Sequence, residues 1–143
     1  MLDIKEKITF TNVESIFSKE KIERIMKYSK IEPRLCHRNS LFVAGYLNCG
    51  VCEGVIFNGI PHAFNYIDNE GERLYFDFTL YRNHLENRLY SKSAETATVL
   101  RLYLHSDLGE LWEKYFQKNE YHLTIEEDNR YRDYLYSQTN VNV

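Results

Sequence analysis

The dipeptide Asn58-Gly59 sits between two apolar runs, and it constrains this chain more than any other local feature. Asn-Gly suits the positive backbone angles of a two-residue hairpin turn, so the runs on either side are expected to pair as antiparallel strands. These are residues 52–57 and 60–67. Asp68-Asn69-Glu70-Gly71 reads as a second turn, and the aromatic-rich residues 73–79 follow as a third strand. A small antiparallel sheet is therefore expected at the centre of the chain.

Helices are expected on both sides of it. Residues 1–31 read as one or two helices behind a short extended start, with Thr11-Asn12 and Ser18 placed as caps. Pro33 breaks that pattern. Residues 35–47 are apolar almost all round, which predicts a buried helix, and its polar beginning, Cys36-His37-Arg38-Asn39-Ser40, is where it meets a cleft. After Leu80 the apolar spacing predicts helices over 94–105, 108–118 and 124–136, with 137–143 frayed. No repeat, linker or low-complexity stretch interrupts the chain, so residues 1–143 are read as a single α+β domain.

The 143 residues suffice for one packed core. At 43% hydrophobic and 15% aromatic, the composition is far from that of a disordered chain. A net charge of −3 with scattered basic residues does not suggest nucleic-acid binding. No apolar run approaches the roughly 20 residues of a membrane span, and the charged N-terminus is unlike a signal peptide. A cytoplasmic protein with free thiols is the expectation.

Turn geometry then gathers three reactive side chains. A two-residue loop at Asn58-Gly59 pairs Phe57 with Ile60, sets His62 opposite Val55 and puts Glu53 on the face of His62. A loop centred between Asn69 and Glu70 sets His62 opposite Asp77, at a Cβ separation of about 4.5–5.5 Å. Cys36 would approach from a helix N-terminus, where the helix dipole favours a thiolate. Nucleophile, base and orienting carboxylate are thus Cys36, His62 and Asp77. His37 is the rival base, but neighbouring helix residues diverge by about 100°, which turns it away from the thiol's partner.

The ordered set Cys36-His37-Arg38-Asn39, Glu53-Gly54, His62-Ala63-Phe64 and Asp77-Phe78-Thr79 resembles the papain-like superfamily, especially its transglutaminase-like branch. Within that branch it is similar to a group of small bacterial and phage proteins. The resemblance covers about residues 33–80. It implies a papain-like fold, with the cysteine helix packed on a small antiparallel sheet and further helices C-terminal to it. It also implies cysteine-dependent acyl transfer on a protein or peptide-like substrate, as peptidase, amidase, deamidase or transglutaminase, without a cofactor. Papain carries a Gln ahead of its cysteine for the oxyanion hole, whereas no Gln precedes Cys36. The hole would use the Cys36 backbone N–H and a second donor such as Asn39. Glu53 either contacts substrate or supports the loop before the cysteine helix.

Two other readings compete. One is a catalytically silent domain of the same fold, used as a protein-binding module. The other is a zinc-stabilised interaction domain built on Cys49-Gly50-Val51-Cys52 with Cys36, His37 or His62. Without a second Cys-x-x-Cys, Cys49 and Cys52 read as packing residues, and no metal is assigned. The tyrosines read as core and groove walls rather than a base-stacking platform.

Overall fold

The computed structural model describes residues 1–32, 35–56, 59–85 and 95–115. Strand β1 (Leu2–Thr9) leads into helices α1 (Val13–Ile16) and α2 (Lys19–Ser29). Asn12 caps the first, accepting the Glu14 N–H at 3.0 Å, and Ser18 caps the second, accepting the Lys21 N–H at 3.2 Å. Helix α3 (Cys36–Leu47) ends at Asn48, whose positive φ of 60° closes the helix with a left-handed residue. Then come β2 (Gly50–Ile56), β3 (Ile60–Asn69), β4 (Glu72–Phe76), α4 (Phe78–Leu85), β5 (Thr96–Tyr103), a 3₁₀ turn (His105–Asp107) and α5 (Leu108–Tyr115). The helix expected over 124–136 and the fraying over 137–143 lie outside the described residues.

The fold is α+β. Its sheet is antiparallel throughout, in the order β1-β5-β2-β3-β4. Residues 96–103, within the helix expected over 94–105, are thus a strand. The alternation Thr96-Ala97-Thr98-Val99 puts Ala97 and Val99 inside and is rich in β-branched side chains, and that period prevails over the helical spacing of Ala97, Leu100 and Leu104. Strand β5 lies inside the sheet, between β1 and β2. The third strand also stops earlier than expected, so that Thr79 belongs to α4.

Both hairpin registers depart from the expectation, with different consequences. Ile56, not Phe57, pairs with Ile60, so the first loop has three residues, 57–59. Gly59, at φ 135°, donates its N–H to the Ile56 carbonyl at 3.2 Å within that loop. His62 therefore lies opposite Gly54, and Glu53 moves to the other face of the sheet, as any one-residue shift requires. In the second hairpin Asn69 pairs with Glu72 across a two-residue turn, Glu70 and Gly71, both at positive φ. That is a two-residue change in pairing, which preserves the face. It also ends β4 at Phe76 opposite Asn65, so Asp77 lies just past the ladder, and residues 60–64 of β3 lack a β4 neighbour.

The sheet has a core on each face. Helices α2, α3 and α5 cover one, packing Ile25, Leu41, Val43, Ala44 and Leu111 on Val51, Phe76 and Tyr103. The other buries Ile8 of β1 with Cys52, Phe64, Tyr75, Val99 and Leu102. Ile8 and Tyr75 come from opposite edges, and the Thr11 N–H bonds the Tyr75 carbonyl at 2.7 Å, so the sheet curls towards closure.

Candidate active site

Cys36 is the first residue of α3 and is 1% exposed. The helix has no side-chain cap, and a thiol at its N-terminus stands where the helix dipole favours a thiolate. Two imidazoles flank the thiol. His62 engages it as a charge and hydrogen-bond partner, and His62 Nε2 is bonded to Asp77 Oδ2. With Nε2 so occupied, Nδ1 is the nitrogen left to serve the sulfur. His37 Nδ1 lies 3.6 Å from Cys36 Sγ, and its Nε2 lies 3.0 Å from Glu53 Oε2. All five side chains are buried.

The acid after β4 has two tasks. Asp77 Oδ1 accepts the Leu80 N–H at 3.0 Å, capping α4, while Oδ2 holds His62. A carboxylate fixed by a helix cap cannot rotate away, so the imidazole is fixed with it. Burial disfavours the His62 imidazolium, but the Asp77 and Cys36 charges outweigh it and hold its pKa at about 10. For His37, burial is likewise opposed by Cys36 and then Glu53, and its pKa rises to about 9. The cluster thus favours imidazolium beside sulfur.

Asn39 is wholly engaged by the scaffold. Its Nδ2 donates to the Glu32 carbonyl at 2.7 Å and to Thr79 Oγ1 at 3.0 Å, while its Oδ1 accepts from the Glu32 N–H and from Arg38. No donor remains for an oxyanion. Its role is instead to tie the segment before the cysteine helix to the start of α4, so the first and last short motifs meet as Asn39–Thr79. Glu53 faces His37, and the Tyr103 hydroxyl stands beside it without closing a hydrogen bond. Gly54 has a backbone reason: a Cβ there would lie 2.0 Å from the Thr98 carbonyl oxygen, where a bulge brings β5 against β2.

His37 was expected to be turned away from the thiol's partner and was set aside as a base, yet its Nδ1 lies against the same sulfur. The signal for its pairing lay in Glu53, an acid between Cys52 and Val55 in an otherwise apolar strand, which needs a cation if buried. The Cys-x-x-Cys does not act as a unit. Cys49 packs in the helix-covered core and Cys52 in the opposite one. Burial pushes Cys49 up to about 12 and Cys52 higher still, so both remain thiols. Among the described residues no group of three or more His, Cys, Asp or Glu is arranged to hold a metal ion. No helix among them is long and apolar enough to cross a membrane.

No known protein family, characterised protein or solved structure matches this chain.

Proposed function

We propose that this protein is a papain-like, cysteine-dependent acyl-transfer enzyme acting on a protein or peptide-like substrate. One observation carries the reading: a thiol at a helix N-terminus engages an imidazole whose other nitrogen is held by a buried, helix-capping carboxylate. The Cys36 thiolate attacks the substrate carbonyl, forming an S–C bond and sending the π electrons to oxygen. Collapse breaks the bond to the leaving amine, which takes its proton from His62. A water or amine acceptor then loses its proton to neutral His62, adds to the thioester carbonyl, and expels the thiolate. Asp77 holds the ring throughout. The choice between hydrolysis and transfer lies with the acceptor.

The test is alkylation by iodoacetamide across pH, read by mass spectrometry. Cys36 is expected to react at neutral pH at least about tenfold faster than Cys49 or Cys52, whose thiols stay protonated. Equal rates at the three cysteines would sink the activated-nucleophile reading. A second reading, a silent domain that binds protein, is favoured by the 1% exposure of Cys36. It predicts a protein that leaves Cys36 unmodified at every pH at which the fold persists.

A further inference from the structure

Two histidine–carboxylate pairs converge on one sulfur, where the acyl-transfer reading requires only one. We propose that His37, held by Glu53, is a second catalytic histidine: a fixed imidazolium that stays against the Cys36 sulfur and keeps it a thiolate while His62 moves the protons. The inference rests on the acyl-transfer reading and divides its site into a fixed charge and a shuttle.

The carboxylates separate the two roles, since Asp77 also caps α4 through Oδ1 whereas Glu53 Oε1 has no hydrogen-bond partner. His37 is engaged at both nitrogens, by Sγ at 3.6 Å and by Glu53 Oε2 at 3.0 Å. A neutral ring has one N–H, so donating to Glu53 through Nε2 would leave Nδ1 to accept the S–H of a neutral thiol. A protonated ring donates at both ends, to carboxylate and to thiolate. Glu53 supplies the reason for the proton. It is buried in a β-strand between Cys52 and Gly54, and its Oε1 has no hydrogen-bond partner. Arg101 pairs with Glu53 across the β2–β5 ladder, but its side chain reaches outward to Asp3 on β1, at 3.8 Å. Tyr103 of β5 adds a neutral hydroxyl. The contacting cation for Glu53 is therefore His37. Beyond the sulfur stand His62 of β3 and Asp77, whose charges complete the group.

Purely structural bracing is already the work of the next two residues. Arg38 bonds the Lys30 carbonyl at 2.7 Å, and Asn39 ties Glu32 to Thr79. His37 alone in this turn places its ring on the reacting atom. In the reaction no bond to its protons breaks. When His62 has passed its proton to the leaving group, His37 still carries the positive charge to which the thiolate returns on deacylation.

The experiment is the ultraviolet absorbance of the Cys36 thiolate against pH, taken as the difference between the protein and its Cys36→Ser variant, a readout that needs no reagent to reach the buried sulfur. We expect thiolate at neutral pH in the parent protein and in His62→Gln. In His37→Gln and in Glu53→Gln the midpoint rises by about one to two pH units towards that of an ordinary thiol, so about tenfold or more thiolate is lost at a given pH. An unchanged midpoint in both variants, with circular dichroism showing them folded, overturns the proposal. If His62→Gln then moves the midpoint, the acyl-transfer reading survives with His62 as the single partner. If Cys36 in the parent titrates as an ordinary thiol, both readings fall. Should His37→Gln not fold, the ring titrations of His37 in the parent and in Cys36→Ser decide by nuclear magnetic resonance. The His37 midpoint falls on loss of the sulfur if the two are coupled, and an unmoved midpoint overturns the proposal.

Discussion

Asn39 and Thr79 set the local frame of the site, because a single amide connects Glu32, Arg38 and the start of α4. Removing it with Asn39→Ala leaves a buried hydroxyl and two backbone groups unpaired, at an expected cost of about 2–4 kcal/mol in urea unfolding. Thr79→Val removes one bond and should cost about 1 kcal/mol. Since the two side chains touch, the double variant should fall short of the sum by at least about 0.5 kcal/mol. Asp77 offers a sharper contrast. Asp77→Ala strips both the cap and the imidazolium partner, and breaking a buried pair this way costs about 3–5 kcal/mol. Asp77→Asn retains an oxygen for the Leu80 N–H, so it should lose clearly less stability than Asp77→Ala in urea unfolding. Comparable stability losses in the two variants would mean that the cap contributes nothing.

Among the elements, the helix α3 and the strands β2 and β3 carry the site, and their alignment depends on backbone approach. Strand β5 bulges against β2 beside Gly54, and the Thr98 carbonyl occupies the space of a side chain. Gly54→Ala must push two central strands apart, and thermal unfolding should show a loss of about 1–3 kcal/mol or more. Glu53 is the next residue, so the same shift should loosen the His37–Glu53 bond and slow Cys36 alkylation. Gly45, which has open space around it and is helical, serves as the control: Gly45→Ala should be neutral or stabilising, by up to about 1 kcal/mol.

For the whole molecule, the buried histidines link stability to pH. Both have folded-state pKa values raised above 6.5, to about 9 for His37 and about 10 for His62. A raised value means that the folded protein holds protons the unfolded chain has released. This contribution is complete below pH 6.5 and is lost as pH rises through 9 and 10. The urea midpoint should therefore fall across that range, and fall less in His37→Gln, which lacks one of the two rings; a midpoint that rises would contradict the assignment. The chain order of Cys36, His62 and Asp77, the helix behind the cysteine and the central hairpins were all legible from local signals. Apolar periodicity, an Asn-Gly turn and an acid inside an aromatic strand are properties of neighbouring residues. Asp77 stayed on the expected face because the second turn was misplaced in a way that shifts pairing by an even number. Glu53 did not, because the first loop is one residue longer and side chains alternate at every step. Strand β5 escaped the local reading for a related reason: Thr96–Tyr103 satisfies two periods, and its place between β1 and β2 is decided by partners about 50 and 100 residues away in sequence. Local pattern thus determined which residues could do chemistry. The curl and register of the sheet decided that the acid of β2 would meet His37, since only packing sets which buried charge finds which partner.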